Sequence, residues 1–201
     1  MTTFKSTDLA AAASRIAAHI DSCADALNTA DGKLGDGDLG VTMTNGWHEV
    51  VAVSGGFPED VGMAFLEASK AFQRVAPSSF GTLMATALMS AAKACKGATE
   101  IDFAQVPDLI AGARDAMMAR GKGELGAKSV LDALDAMAQA TAGKTAPGDL
   151  LPAADKAAEA ALDGFRDKPN QLGRARMFGD RSVGLDDPGM LAAREMVRGL
   201  A

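Results

Sequence analysis

Between Thr7 and Leu27 the apolar residues fall at Leu9, Ala13, Ile16, Ile20, Cys23 and Leu27. These alternating steps of three and four place them on one face of an α-helix and on no face of a strand. The same periodicity returns along the chain. It predicts helices over 40–53, closed by Ser54-Gly55-Gly56; from near Pro58 to Arg74; over 82–96; and from Asp102 or Pro107 to Arg120-Gly121. Further helices are expected over 127–142, where Val130, Leu131, Leu134 and Met137 share a face, over 148–166, with Leu151, Ala154, Ala158 and Leu162, and over 189–200. Aromatics are only 4% of the 201 residues and tyrosine is absent, while alanine, leucine and methionine supply much of the apolar content. That favours helix over sheet. The expectation is one all-α domain of eight helices with no strand, its chemistry carried by loops.

Net charge is −6 and the sequence pI is near 4.9, so there is no basic footprint for a nucleic-acid partner. The start, Met-Thr-Thr-Phe-Lys-Ser-Thr-Asp, lacks the regions of a signal peptide, and no run reaches the roughly 18 apolar residues of a membrane span. The chain reads as cytoplasmic, without nucleic-acid or membrane partners. Cys23 and Cys95, far from any CxxC spacing, read as buried thiols in a reducing compartment.

Four polar loops interrupt the helices, at 31–40, 76–82, 121–128 and 173–189. The first, Asp-Gly-Lys-Leu-Gly-Asp-Gly-Asp-Leu-Gly, puts Asp31, Asp36 and Asp38 within eight positions of a stretch whose four glycines argue against helix. Hard divalent cations want several oxygen ligands, and Mg2+ is commonly shared between a few carboxylates and phosphate oxygens. An EF-hand fails in both registers: from Asp31, Thr42 stands where the twelfth-position glutamate belongs, and from Asp36, Trp47 does. The plainer alternative is an acidic surface turn.

The loop Gly121-Lys122-Gly123-Glu124-Leu125-Gly126-Ala127-Lys128-Ser129 is not a Walker A motif. Ala127 separates glycine from lysine, and a helix rather than a strand precedes it. It leads into a helix N-terminus, which favours an anion, or it is an ordinary connection. Ser78, Ser79 and Gly81 stand at another helix start, where serine either meets phosphate or caps the helix. In the last loop Arg174, Arg176 and Arg181 alternate with Asp180, Asp186 and Asp187, suited to phosphate or to salt bridges within the loop. His19 and His48 have no second histidine at ligand spacing and read as packing residues. No Ser-His-Asp or Cys-His set is evident.

In order, Leu27-Asn28…Asp31…Leu34-Gly35-Asp36-Gly37-Asp38…Gly40…Thr42-Met43…Gly46, then Arg120-Gly121-Lys122…Gly126…Lys128-Ser129…Leu131-Asp132-Ala133-Leu134, then Gly173-Arg174-Ala175…Gly179-Asp180-Arg181-Ser182…Gly184…Asp187-Pro188-Gly189 resemble the nucleotide-binding L subunit of dihydroxyacetone kinases. The resemblance covers nearly the whole chain, and the same unit forms the C-terminal domain of single-chain ATP-dependent members. It implies an eight-helix antiparallel barrel holding ADP or ATP at one end through two Mg2+ ions. Asp31, Asp36 and Asp38 match the metal-binding aspartates. Leu39, Gly40, Val41 and Thr42, with Ser79 and Phe80, match phosphate-contacting backbone. Gly121 and Val130 match positions beside the nucleoside, Arg174 a nucleotide-binding arginine, and Asp187, Pro188 and Gly189 the closing loop.

By the same resemblance a separate subunit or domain holds the ketose, so this chain alone is expected to be inactive and no catalytic residue is assigned to it. The phosphoryl donor is either exchanged ATP or a phosphotransferase-system protein, and a homodimer is compatible. The chain departs from the family pattern at Leu39, where histidine is common, at Pro77-Ser78-Ser79-Phe80-Gly81 in place of Gly-Gly-x-Ser-Gly, and at Gly126-Ala127-Lys128-Ser129 in place of Gly-Asp-Lys-Thr. The rival from another class is a regulatory module whose nucleotide state alters a partner contact; a structural domain with a stray cation is the third.

Overall fold

The computed structural model describes residues 2–201. Among them run eight α-helices: α1 Ser6–Leu34, α2 Leu39–Ser54, α3 Val61–Val75, α4 Ser79–Ala94, α5 Val106–Gly121, α6 Val130–Thr141, α7 Pro147–Arg166 and α8 Pro188–Gly199. Each packs on the helix before and after it, and α8 returns to pack along α1, which closes the set into an antiparallel ring. The all-helical expectation holds. One addition is a two-residue antiparallel ladder of β1 (Thr3–Phe4) with β2 (Ile101–Asp102). It is too short for an alternating pattern to reveal, and it is fixed by Phe4 stacking near Phe103, 5.3 Å between ring centroids, over buried Val61, Cys95 and Ile101.

Apolar stripes from all the helices meet inside the ring. Ile20, Leu27, Met43, Phe72, Leu162 and Met190 are fully enclosed, each contributing about 1.5–3 kcal/mol by leaving water. Trp47 meets Phe72 edge-on, centroids 5.8 Å apart, the arrangement aromatic quadrupoles favour.

Helix starts follow side chains that accept the orphan N–H groups. Ser78 accepts from Gly81 N–H at 3.0 Å and starts α4. Asp60 accepts from Met63 at 3.0 Å and so starts α3 at Val61, past the Pro58 that the sequence suggested. Ser129 and Asp132 form a capping box at α6, and Asp187 accepts from Met190 at 2.9 Å at α8. The largest departure from expectation is at the end of α1. The helix runs on to Leu34, so Asp31 stands on its last turn rather than in a loop. Leu34 continues the stripe seven residues after Leu27 and is 1% exposed; burying it outweighs the roughly 1 kcal/mol that a glycine such as Gly32 costs inside a helix.

In a ring of consecutive antiparallel helices, alternate connections emerge at the same end. The connections α1–α2, α3–α4, α5–α6 and α7–α8 are the four polar loops, and the topology gathers them there.

Candidate functional site

These four connections surround a cleft of about 490 Å³. At its mouth stand Asp31, Asp36 and Asp38, each offering a carboxylate oxygen within 4.8 Å of the others. Their convergence is built locally. Asp31 accepts the backbone N–H groups of Gly37 at 2.8 Å and Asp38 at 3.0 Å, folding the short loop back over the end of α1. A Cβ on Gly35 would lie 2.4 Å from Asp31 Oδ1, so only glycine lets the chain pass there.

The start of α2 is fixed by Asn28, whose Oδ1 accepts from Gly40 at 2.7 Å and Val41 at 3.2 Å. A Cβ on Gly40 would sit 2.1 Å from the Ala24 carbonyl oxygen, so α2 begins hard against α1. Asn28 is a site-shaping residue whose role the sequence showed only as a motif letter. A polar amide one turn before an acidic cluster, facing a glycine-led helix start, is the signal.

Like charges crowd this mouth. Burial first, then the neighbouring Asp36 and Asp31 carboxylates, push the Asp38 carboxyl above the usual range. The Arg174 guanidinium, ion-paired with Asp36, holds that carboxyl below it. Three carboxylates facing one arginine leave a negative centre of hard oxygen donors, which fits a divalent cation.

The cleft is also lined by Leu34, Leu83, Met117, Leu131 and Leu172, the apolar surface that small-molecule clefts commonly present. Two helix N-termini open onto it, α4 through Ser78–Phe80 and α6 through Ser129 and Val130, and free N–H groups with the helix dipole favour anions there. Of the expected site residues, the structure brings Asp31, Asp36, Asp38, Leu39, Ser79, Phe80, Gly121, Val130, Arg174, Asp187, Pro188 and Gly189 to the cleft. Gly40, Val41 and Thr42 are not among its lining residues, and Val41 is exposed to solvent: the first two give their N–H groups to Asn28, and Thr42 donates its hydroxyl to Ser78 at 3.3 Å, tying the first loop to the second. In the sequence Leu34, Leu131 and Arg120 stand only as motif letters and Leu83, Met117 and Leu172 do not stand out, since an apolar residue that lines a cleft shares its helical register with the core.

Two charged groups in this region do structural work. Lys128 is 1% exposed and has a left-handed backbone, φ 57°. Its ammonium donates to the carbonyls of Arg166 at 3.0 Å, Lys168 at 2.8 Å and Ser182 at 2.8 Å, so it clamps the last loop and does not face the cleft. Burial pulls it below the usual lysine range, and Asp187, Asp186 and Asp167 pull it back. Asp187 has one oxygen on the Met190 N–H and the other on Asn170 Nδ2 at 2.7 Å, and its burial raises its carboxyl to about 6. Asn170 also donates to the Lys128 carbonyl at 2.7 Å, joining the third and fourth loops.

Residues 33–201 match the DAK2 domain family. The chain is 26% identical over 176 residues to the PEP-dependent dihydroxyacetone kinase ADP-binding subunit DhaL of Escherichia coli (strain K12), covering 85% of this chain and 84% of that protein. The corresponding subunit of PEP-dependent dihydroxyacetone kinase 1 from Listeria innocua is 29% identical over 164 residues, 81% of this chain and 79% of that one. L-erythrulose 1-kinase of Mycolicibacterium smegmatis is 30% identical over 188 residues, 89% of this chain but 33% of that longer protein. Among solved structures, the dihydroxyacetone kinase from C. freundii in complex with AMP-PNP and Mg2+ shares the fold over 100% of this chain and 34% of its own length, with a TM-score of 0.75 at 21% identity.

Proposed function

The chain belongs to the DAK2 domain family, and from that premise we propose that it is the nucleotide-holding subunit of a dihydroxyacetone-type kinase, carrying ADP or ATP for phosphoryl transfer to a small ketose bound on a separate subunit. The observation that carries this reading is the cluster of Asp31, Asp36 and Asp38 at the mouth of a cleft with an apolar wall and two helix N-termini. Its relatives in Escherichia coli and Listeria innocua are named as ADP-binding subunits of such kinases.

In this reading the three aspartates hold two Mg2+ ions, which supply charge neutralisation on the phosphates when bound. The N-termini of α2, α4 and α6 face the phosphates, with Leu39, Ser79 and Phe80 nearest. Gly121 and Val130 flank the nucleoside, with the leucine wall beneath the base. Arg174 turns between Asp36 and the phosphate chain, and Asp187, Pro188 and Gly189 close the remaining side. No Ser-His-Asp or Cys-His pair stands among these groups to activate a nucleophile, which suits phosphoryl transfer, where positioning and electrostatics carry the catalysis. The donor is either a phosphoprotein of a phosphotransferase system, which recharges ADP in place, or exchanging ATP.

The test is to purify the protein in Mg2+, denature it, and identify released nucleotide by chromatography alongside a metal count. Expected is adenine nucleotide near one per chain with about two Mg2+, and kinase activity only when a ketose-binding subunit is added. Retained nucleotide with no transfer to any such subunit would move the assignment to a regulatory module. Neither nucleotide nor metal, even after addition of Mg-ATP, overturns it.

A further inference from the structure

Along the α1–α8 seam lies a second group of ligating atoms, with Cys23 packed on the edge of the core and Glu195 buried. His19 and Cys23 stand one helical turn apart on α1, and Glu195 faces them from α8; His19 Nε2, Cys23 Sγ and a Glu195 oxygen all lie within 4.8 Å of one another. We propose that these three residues form a site for a thiophilic divalent cation, Zn2+ first among them, independent of the nucleotide cleft.

The donor set is the first argument. Thiolate, imidazole and carboxylate together select Zn2+ over Mg2+ or Ca2+, and three protein ligands with a fourth position open to water is a common zinc arrangement. An i, i+4 pair on a helix presents both ligands on one face.

Orientation is the second argument. Glu195 is 8% exposed and its two oxygens are divided. Oε1 accepts from Arg194 at 2.7 and 3.0 Å, while Oε2 is turned to His19 Nε2 at 2.8 Å. The arginine therefore fixes the carboxylate with one oxygen toward the ring and the thiol, as outer partners do in metal sites. A bound ion takes the place of the proton between His19 Nε2 and Glu195, which passes through solvent to Nδ1 of the neutral ring or, from an imidazolium, is released. The ring and carboxylate then part by roughly half an ångström, which zinc–nitrogen and zinc–oxygen lengths near 2.1 Å require. Cys23 Sγ, now 3.6 Å from the Ile20 carbonyl, gives up its proton to solvent and its weak hydrogen bond with it.

The charges nearby favour a cation. Arg194 and Arg198 are the basic groups, and both are already engaged by α7: Arg194 by Glu159 at 2.7 Å, Arg198 by Asp155 at 2.8 Å and Glu159 at 2.9 Å. With Glu195 that makes three carboxylates against two guanidiniums, a surplus of one negative charge beside a half-buried imidazole and thiol. Asp31 is eight to twelve residues further along α1, roughly 12–18 Å at 1.5 Å per residue, too far to share an ion.

The native protein is titrated with Co2+ in excess Mg2+, which keeps the aspartates supplied. A thiolate-to-cobalt charge-transfer band is expected, displaced by one equivalent of Zn2+, kept in Asp36→Asn and Cys95→Ala, and lost in Cys23→Ala. His19→Ala and Glu195→Gln should each weaken Zn2+ by more than about a hundredfold, beyond what losing an outer partner costs. A measurement needing no variant is alkylation: Zn2+ but not Mg2+ should slow labelling of Cys23, since a metal-bound thiolate is withheld from the reagent. Absence of the band in native protein, its persistence in Cys23→Ala, or labelling of Cys23 unaffected by Zn2+ overturns the proposal.

Discussion

The first loop, ending α1 and starting α2, and the third, between α5 and α6, are both glycine-rich, both charged and both lead into a helix N-terminus, yet they use charge in opposite ways. In the first, Asp31 spends one oxygen on its own loop while Asp36 and Asp38 stay exposed at the cleft. In the third, Lys128 is drawn inward onto three carbonyls and is lost to solvent and ligand alike. What decides is which backbone groups converge nearby. The irregular segment after α7 turns the carbonyls of Arg166, Lys168 and Ser182 toward one point, and a buried ammonium binds all three, although Arg166 and Ser182 also accept the N–H groups of Gly184 and Leu185. The loop around Asp31 has spare N–H groups at Gly37 and Asp38, and the Asp31 carboxylate satisfies both, which leaves Asp36, paired at the surface with Arg174, and Asp38 to face the cleft.

The largest consequence falls on the third loop. Lys128→Met removes three charge-assisted hydrogen bonds and leaves the Lys168 carbonyl without a donor, so stability should fall by about 3 kcal/mol, read as a lower urea midpoint. Asp36→Asn should leave that midpoint nearly unchanged, because the side chain is exposed and its pair with Arg174 lies at the surface. Equal losses in the two variants would break the contrast.

The same substitution at two glycines sharpens it. Gly40→Ala meets the Ala24 carbonyl at 2.1 Å and cannot be accommodated without shifting α2, at a cost of about 2–3 kcal/mol. Gly126→Ala meets nothing within 4 Å and bears only the strain of φ +87°, about 1 kcal/mol. Asn28→Ala, which uncaps α2, should cost about 1 kcal/mol and weaken Mg-ADP through the displaced loop; thermal melts and binding on one preparation check both.

The finest test is Asp187. Its carboxyl is raised to about 6 from 3.8, so the folded chain holds that proton more tightly than the unfolded chain. The ionised group opposes folding above its folded value, and this opposition fades as pH falls through 6 toward 4. Asp36, held low by Arg174, runs the other way: its contribution is present above the ordinary carboxylate value and is lost as pH falls through the depressed one. Carboxyl carbon titrations should give a midpoint near 6 for Asp187 and an unusually low one for Asp36; matching ordinary midpoints would contradict the described burial and pairing.

Much of this was legible in the sequence. The stripe from Leu9 to Leu27, the cap at Ser78, and the stops at Ser54-Gly55-Gly56 and Gly121 are local, and local patterns place helices well. The three aspartates were found because spacing alone brings them together. Asp31 was set in a loop because Asp-Gly pairs and Gly32 argue for a turn, while the burial of Leu34 that keeps the helix going is a tertiary fact. Ring closure by α8 on α1, the inward turn of Lys128 and the approach of Glu195 to His19, 176 residues apart, depend on contacts that no local window contains.

The central claim is that Asp31, Asp36 and Asp38 hold a nucleotide through a divalent cation. Calorimetric titration of ADP into the nucleotide-stripped protein, with and without Mg2+, tests it most directly when repeated on Asp36→Asn with its helical signal intact. Expected is Mg2+-dependent binding that weakens by about a hundredfold or more, some 2.7 kcal/mol, in the variant. Binding of equal strength in chelator, or unchanged in Asp36→Asn, would contradict it.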